Sequence, residues 1–247
     1  MILRDNQYLV IEPKTKFMKR SCLFGLLILI SSVIFAQANV DEVINKVIEA
    51  QGGKEKLLTI KTVEMTGNIE FSGQKIPFNL YAVDKTAYRT EFTFSGLTGY
   101  TIVTKDSGFN FSPFQGQTSP ESMTAEDIKL SQNDLDQQGI LVNYKEKGYA
   151  VDLLENEDVD GVDALQLKAT ITPNKTLYYF IDPSNYYVIR IKTVLVSNGK
   201  QQRYSNDFYD FKKTAAGIIF PHTQDNITFD KIEVNVPIDE KLFKPTR

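Results

Sequence analysis

Side chains that could perform catalysis are few in this sequence. It holds one histidine, His222, and one cysteine. A nucleophilic triad and the common zinc sites each combine histidine with further bases, nucleophiles or thiolates, so these two residues support neither. The carboxylate pairs Asp158/Asp160 and Glu155/Glu157 fall at a predicted turn, where acidic side chains are normally solvated, so acid–base catalysis there is weakly supported. The residues therefore predict no catalytic site, no metal site and no cofactor.

Aromatic and aliphatic side chains offer more capacity for binding. The sequence contains 16 phenylalanines and 12 tyrosines but no tryptophan. Many apolar residues alternate with polar ones, which places them on the dry face of a predicted sheet. Each one alone is explained by core packing, but together they exceed what two thin helices could cover, which leaves a cavity or a partner site. The residues predicted to line an apolar cavity are Met65, Ile69, Phe71, Phe78, Leu80, Phe92, Phe94, Ile102, Leu165 and Leu167.

The elements that position these residues are one helix and many short strands. Apolar residues between Val40 and Ile48 recur at helical spacing, and Gly52-Gly53 is typical of a helix end. From Val63 the period changes to two, and turn residues separate eleven or twelve strands, which predicts a meander. A sheet of this width must curl. The predicted fold class is therefore mostly β (α+β), an incomplete antiparallel β-barrel with an N-terminal helix and a mid-chain helical lid.

The segment from Ser119 to Gly139 interrupts the alternation. Thr124 predicts a helix start, and the apolar stripe that follows it is weak. This composition predicts helices that form a mobile cover over the sheet. An ordinary surface excursion explains the segment equally well.

The N-terminal region has the features of an export signal. Lys19-Arg20 precede an apolar run from Leu23 to Phe35, and Ala36-Gln37-Ala38 follow it, which predicts a signal peptide cleaved after Ala36 or Ala38. The run is shorter than the ~20 residues of a membrane-spanning helix, so a membrane anchor is the less favoured alternative. Met18 is the predicted start. The predicted divisions are a mis-called or disordered extension over 1–17, the signal peptide over 18–38 and a single domain, soluble in the periplasm, over 39–247.

Charge and cysteine content restrict what the mature chain can bind. Cys22 precedes the apolar run, so it is not placed for lipidation, and no cysteine follows it. The net charge of the whole sequence is −3, and its basic residues are scattered. An acidic chain without a polybasic cluster predicts neither nucleic-acid binding nor electrostatic attachment to anionic lipid headgroups.

Seven short motifs follow one another along the chain. They are Ala50-Gln51-Gly52-Gly53 with Leu57 and Ile60, Thr101–Gly108, Asn143–Gly148, Glu157–Ala164, Tyr179–Pro183, Phe220-Pro221-His222 and Leu242–Pro245. With these motifs the sequence resembles the LolA/LolB-like superfamily, specifically the outer membrane lipoprotein-sorting protein group. The resemblance covers nearly everything from Val40 to Pro245.

The resemblance implies an incomplete barrel, closed by helices, that shelters acyl chains while they cross the periplasm. It also implies that a basic residue after the second strand holds the helical lid, and Lys85 and Arg89 are the candidates for this gating role. The implied partners are lipid or lipoprotein acyl chains, an inner-membrane release complex and an outer-membrane acceptor, with the chain itself a monomer. The Arg-Pro pair usual in LolA-type proteins is missing at this position, and there is no lipidated cysteine.

Three functional hypotheses follow. The leading one is a periplasmic carrier or chaperone that shelters the acyl chains of a lipoprotein or lipid during transfer towards the outer membrane. The alternative is a sensor or interaction module that uses the same half-barrel to bind lipid or an envelope protein partner without transport. A hydrolase that uses His222 is the least favoured, and a fold alone does not decide between these functions.

Overall fold

Thirteen strands and three helices make up most of the part of the chain that the structure describes. The computed structural model describes residues 39–197 and 199–246, and the predicted extension, signal peptide and cleavage sites lie outside them. The strands are β1 Thr62–Phe71, β2 Gln74–Val83, β3 Ala87–Phe94, β4 Leu97–Thr104, β5 Gly108–Phe111, β6 Glu121–Ser122, β7 Ala150–Val159, β8 Val162–Thr172, β9 Lys175–Ile181, β10 Val188–Ser197, β11 Lys200–Lys213, β12 Ile219–Gln224 and β13 Ile227–Val234. The helices are α1, which covers residues 39–50, α2 Lys54–Leu57 and α3 Ala125–Ser131, with 3₁₀ turns at Pro113–Gln115, Gln132–Leu135 and Glu240–Phe243. None of the described helices is long and apolar enough to cross a membrane.

The strand order consists of two meanders that meet at the first and last strands. Strands β1 to β6 follow one another on one side and β7 to β13 on the other, and β1 pairs antiparallel with β13 between them. Because β6 and β7 are the two edges of the described sheet, the barrel is not closed, and the predicted mostly β, incomplete barrel is confirmed. The prediction of one continuous meander is wrong at the connection from β6 to β7, where the helical mid-chain segment intervenes. The two-residue strand β6 raises the predicted eleven or twelve strands to thirteen.

A β-bulge marks the junction of the two meanders. The register of β1 with β13 shifts between Thr66 and Gly67, which leaves Asp230 as an extra residue on β13. Gly67 lets the two backbones approach closely, because a Cβ atom there would lie 2.0 Å from the carbonyl oxygen of Thr228. A bulge bends its strand and increases the local twist, so this junction favours the curl of the sheet.

The main hydrophobic core lies between α1 and one face of the sheet, which we call the inner face. The buried residues of α1 recur three and four positions apart, as expected of an amphipathic helix. They share one cluster with Val63 of β1, Ala82 of β2 and Leu167 of β8, so both meanders contribute to the same core. Burying each Val, Ile or Leu contributes about 1.5–3 kcal/mol, which makes this helix a major source of stability. The α1 residues in the core are Val40, Val43, Ile44, Val47 and Ile48.

A C-terminal segment covers part of the opposite face, which we call the outer face. Nη1 of Arg89 in β3 donates to the carbonyl oxygen of Leu242 at 3.1 Å, and the Tyr100 hydroxyl in β4 donates to that of Thr246 at 2.6 Å. The neighbouring residues Ile102 and Val103 of β4 are both 0% exposed. This strand is therefore buried on both sides. The apolar cluster beneath the segment consists of Tyr100, Ile102, Phe111 and Phe243.

Candidate functional site

A second apolar cluster lies on the inner face beside the α1 core. Directly opposed residues of antiparallel strands point to the same side, and Met65 opposes Leu80 while Phe78 opposes Phe92. The rings of Phe78 and Phe229 meet edge to face, with centroids 6.0 Å apart. None of the cluster's members belongs to a described helix. We call it the apolar patch, and it comprises Met65, Ile69, Phe78, Leu80, Phe92, Phe220, Ile227, Phe229 and Ile232.

Half of the predicted cavity residues meet in the apolar patch. These five are Met65, Ile69, Phe78, Leu80 and Phe92. All except Phe78 are only partly buried, so apolar surface remains accessible between them. Partly exposed apolar residues that adjoin one another on a folded protein are typical of a binding surface.

Four other predicted residues lie on the same face but outside the patch. Leu165 and Leu167 belong to the α1 core, where Leu167 is completely buried, so the helix fills the space next to them. Phe71 and Phe94 lie at the tips of the β1–β2 and β3–β4 hairpins and are 62% and 38% exposed. Leu97, which opposes Phe94 across the second hairpin, is 46% exposed. We call Phe71, Phe94 and Leu97 the exposed rim.

Ile102 does not lie with the other predicted cavity residues. It opposes Arg89, whereas Leu80 opposes Thr90, so Ile102 and Leu80 point to opposite faces. Its side chain is covered by the C-terminal segment at Phe243. The prediction that Ile102 lines the cavity is therefore wrong, because a strand buried on both sides carries apolar residues in both alternating sets.

Phe114 is a site residue that the sequence analysis missed. Its ring packs against Phe92, with centroids 4.8 Å apart. Gly99 opposes Phe92, and a Cβ atom at Gly99 would lie 2.5 Å from the Phe114 ring, so the glycine provides the room in which this ring lies. A glycine inside a strand often marks such a close approach, and this was the available signal.

The mid-chain segment combines a superficial helix with a deeply packed turn. The helix start predicted at Thr124 is confirmed, since its side chain accepts a hydrogen bond from the Asp127 N–H. Helix α3 has no buried residue, in agreement with the weak apolar stripe. Leu135, in contrast, is 2% exposed, and the apolar residues after Gly139 join the α1 core. The segment is thus partly a structural element of the core. Leu135 is buried within the segment, and the buried residues that directly follow it are Leu141, Val142 and Tyr144.

Two largely buried lysines form ion pairs with carboxylates of this segment. Lys175 of β9 is 5% exposed, and its Nζ lies 2.8 Å from Asp134 Oδ1 and 2.9 Å from the Leu130 carbonyl oxygen. Lys147, which follows the segment along the chain, pairs with Asp136 inside it. A buried ammonium group needs such partners, because desolvation without them is unfavourable by several kcal/mol. Lys175 therefore connects the segment to the sheet.

Tyrosines surround these carboxylates. Burial and the nearby Asp134 charge raise the pKa of Tyr88 to about 12. Burial, Asp134 and Asp136 also raise the pKa of Tyr179, and burial together with Asp136 raises that of Tyr149. A tyrosine hydroxyl is already protonated at neutral pH, and these raised pKa values extend the range in which the three groups remain hydrogen-bond donors.

The two predicted gating residues lie on different faces. Lys85, in the β2–β3 turn, places its Nζ 3.1 Å from Gln138 Oε1, and its backbone N–H donates to the Leu135 carbonyl oxygen at 2.8 Å. Lys85 thus contacts the mid-chain segment, and its gating role stays a prediction. Arg89 lies on the outer face, where its Nε is 2.7 Å from Glu91 Oε2. The assignment of Arg89 to the lid is therefore wrong, since this position alternates away from the inner face.

The residues considered for catalysis have other partners. Nδ1 of His222, in β12, lies 2.9 Å from the carbonyl oxygen of Phe229. Asp160 pairs with Arg190 and Glu157 with Lys192, at 3.1 and 2.6 Å. Within residues 39–197 and 199–246, no group of three His, Cys, Asp or Glu side chains could hold a metal ion.

Removal of the Lys175 charge is expected to loosen the mid-chain segment. Lys175→Met keeps the length of the side chain but loses the bonds to Asp134 and Leu130. Because Asp134 is 49% exposed and can be resolvated, global stability should change little. Amide exchange at 132–135 should accelerate by about tenfold, as expected for local opening. Lys168→Met, the same change on the outer face of β8, is the control. Equal exchange in the two variants would contradict the anchoring role.

Comparison with known proteins shows a likeness of fold. No protein-family model matches the sequence, and a search of curated proteins gives no match. The crystal structure of a DUF1329 family protein from Desulfovibrio piger is similar at 12% identity with a TM-score of 0.50, covering 83% of this chain and 97% of that one. A LolA superfamily protein from Nitrosomonas europaea gives 12% identity, a TM-score of 0.49 and the same coverage. An outer membrane lipoprotein-sorting protein domain from Vibrio parahaemolyticus gives 12% identity and a TM-score of 0.42, covering 78% of this chain and 97% of that one. The likeness to the DUF1329 family structure is one of fold alone, at an identity too low to carry over a function.

Proposed function

We propose that this chain is an exported carrier or chaperone that binds the acyl chains of a lipid or lipoprotein on the apolar patch. It would shelter them during transfer towards the outer membrane, as a single domain over 39–247. The observation that carries this proposal is the apolar patch itself, whose partly exposed side chains adjoin one another on the inner face of an open sheet. The exposed rim at the hairpin tips would be the entrance for the cargo.

The apolar character of the patch suits reversible binding of an acyl chain. Each methylene group removed from water contributes about 0.8 kcal/mol, so ten of them contribute about 8 kcal/mol. That energy corresponds to a dissociation constant of about 1 μM before the entropic losses of association are subtracted. Those losses amount to about 4 kcal/mol or more, so the net affinity is weaker than this value and release of the cargo is easy.

The sequence supports the same proposal independently. The predicted signal peptide would deliver the chain to the periplasm, and the seven motifs resemble those of carriers that act there. The aromatic side chains of the patch, Phe78, Phe92 and Phe229, are suited to methylene chains because they offer large apolar surfaces without hydrogen-bonding groups.

The decisive experiment is to identify what the exported protein carries. The protein is purified gently from the periplasm and denatured, and the released molecules are identified by mass spectrometry. We expect a phospholipid, an acyl chain or a lipoprotein at close to one molecule per chain. An empty protein that also fails to bind a fluorescent fatty acid would contradict the proposal. If that empty protein instead copurifies with an envelope protein at fixed stoichiometry, the interaction-module function replaces it.

A further inference from the structure

We propose a second binding site, for a phosphate-bearing ligand, in a cleft that shares no residue with the apolar patch. The cleft has a volume of about 500 Å³, within the range of small-molecule sites. The β2–β3 and β4–β5 turns, α3 and the end of β8 border it. Four lysines line its wall, and we call it the lysine cleft. They are Lys85, Lys105, Lys129 and Lys147.

The lysine cleft carries uncompensated positive charge. Lys147 is neutralised by Asp136, and Lys85 lies 3.5 Å from an oxygen of Asp84. Lys105 and Lys129 form no ion pair with any carboxylate of the described residues. Two unpaired cations therefore face one cleft in a chain whose net charge is −3. Such a local excess attracts a divalent anion, and a phosphate group carries about −1.5 to −2 at neutral pH.

Two unsatisfied polar atoms belong to residues of the same wall. Asn133 Nδ2, a donor, and Asp136 Oδ1, an acceptor, are buried and have no hydrogen-bond partner. Both residues also border a neighbouring cavity of about 360 Å³, so they stand between the two spaces. Buried polar atoms without a protein partner are rare in native proteins, and either a water molecule or a ligand can satisfy them.

A phosphate group fits this donor and acceptor pattern. Lysine binds phosphate as a point charge, and the buried Asn133 amide would donate to an unprotonated oxygen once its side chain turns towards the cleft. A singly protonated phosphate also has one O–H group, which Asp136 Oδ1 can accept, whereas sulfate has no proton to offer. Leu135, Tyr149 and Ile171 add apolar surface for the organic part of a phosphate ester. The site thus favours phosphate or a phosphate monoester over sulfate.

The sequence analysis predicted no attachment of anionic headgroups, because the basic residues are scattered. The lysines of the cleft are separated by about twenty positions each, and turns from distant parts of the chain bring them together. A search for basic clusters in the sequence therefore misses a site of this kind. A lipid headgroup and free phosphate share the required chemistry, so the experiment has to separate them.

The test is calorimetric titration of the purified protein at low salt with four probes. They are inorganic phosphate, sulfate, dihexanoyl phosphatidic acid and dihexanoylglycerol. We expect the two phosphate compounds to bind and sulfate to bind about tenfold more weakly. Lys105→Gln/Lys129→Gln should weaken phosphate binding by about tenfold, and salt should weaken it further in the wild type. The matched control is Lys75→Gln/Lys213→Gln, two exposed lysines of β2 and β11, which should bind within about twofold of the wild type.

Each outcome has a defined meaning. Tighter binding of phosphatidic acid than of inorganic phosphate identifies a lipid headgroup as the ligand, and equal binding identifies free phosphate. If neither phosphate compound binds, or if the cleft variant binds them as tightly as the wild type, the inference is overturned. A fluorescent fatty acid that fails to bind while phosphate binds would overturn the proposed acyl carrier and leave the lysine cleft intact.

Discussion

Gly67→Ala is expected to lower the free energy of unfolding by about 3 kcal/mol, because a clash between two backbones cannot be removed by the rotation of a side chain. The new Cβ atom would lie 2.0 Å from the Thr228 carbonyl oxygen and 2.8 Å from the Phe229 Cα. Neither atom can rotate away as a flexible side chain would, so β1 and β13 must separate locally. The two meanders meet at this pair of strands, so their separation weakens the connection between both halves of the sheet. Urea unfolding followed by circular dichroism measures the effect.

Gly73→Ala separates this clash from the general effect of replacing a glycine. Gly73 lies in the β1–β2 turn with a φ of 74°, and a Cβ atom there would meet nothing within 4 Å. The only penalty is the left-handed backbone conformation, about 1 kcal/mol. Similar destabilisation by both substitutions would show that close approach at the bulge is not what requires Gly67.

Phe92→Asp is expected to weaken the binding of a fluorescent fatty acid at least about a hundredfold. The substitution removes an aromatic surface from the β3 side of the apolar patch and introduces a charge that acyl chains would desolvate. A combined loss of about 3 kcal/mol corresponds to that factor. It also removes the ring contact between Phe92 and Phe114. The measurement is a fluorescence titration of the purified protein.

Phe109→Asp is the matched control for this binding experiment. Phe109 is a partly buried phenylalanine of β5 that opposes Ile102 and therefore lies on the outer face. We expect it to bind the probe within about threefold of the wild type, after thermal unfolding has shown both variants to be folded. Equal weakening by the two substitutions would indicate a general effect on the sheet, and no weakening by Phe92→Asp would remove the patch as the acyl site.

Much of the fold was predictable because the strands have one wet and one dry face. The alternation at Met65, Ile69, Phe78, Leu80 and Phe92 placed all five on the inner face, as the structure has them. It failed at Ile102, since the C-terminal segment keeps the second face of β4 dry as well. The prediction for Arg89 rested on a resemblance and ignored that it alternates with Tyr88, which lies on the inner face.

The interactions that connect distant parts of the chain could not be predicted from local patterns. The ion pair between Lys175 and Asp134 spans 41 positions, and nothing in either neighbourhood indicates the other. The lysine cleft depends in the same way on turns that fold together. The packed turn of the mid-chain segment did leave a signal, because Ile140-Leu141-Val142 is an apolar run directly after Gly139. The pairing of β1 with β13 left no such signal in the sequence.

The pairing of β1 with β13 has a consequence for how the molecule is made. The hydroxyl of Thr62, where β1 begins, bonds to the carbonyl oxygen of Val236, 174 positions later. A nascent chain therefore completes β1 to β6 long before β13, the partner of β1, has been synthesised. During that time β1 is an unpaired edge strand. Contacts between residues so distant in sequence slow the folding reaction. An unpaired edge strand can also form hydrogen bonds with strands of other chains. Completion of this fold thus depends on the last strand, and chaperones that hold unfolded chains would act on it during that interval.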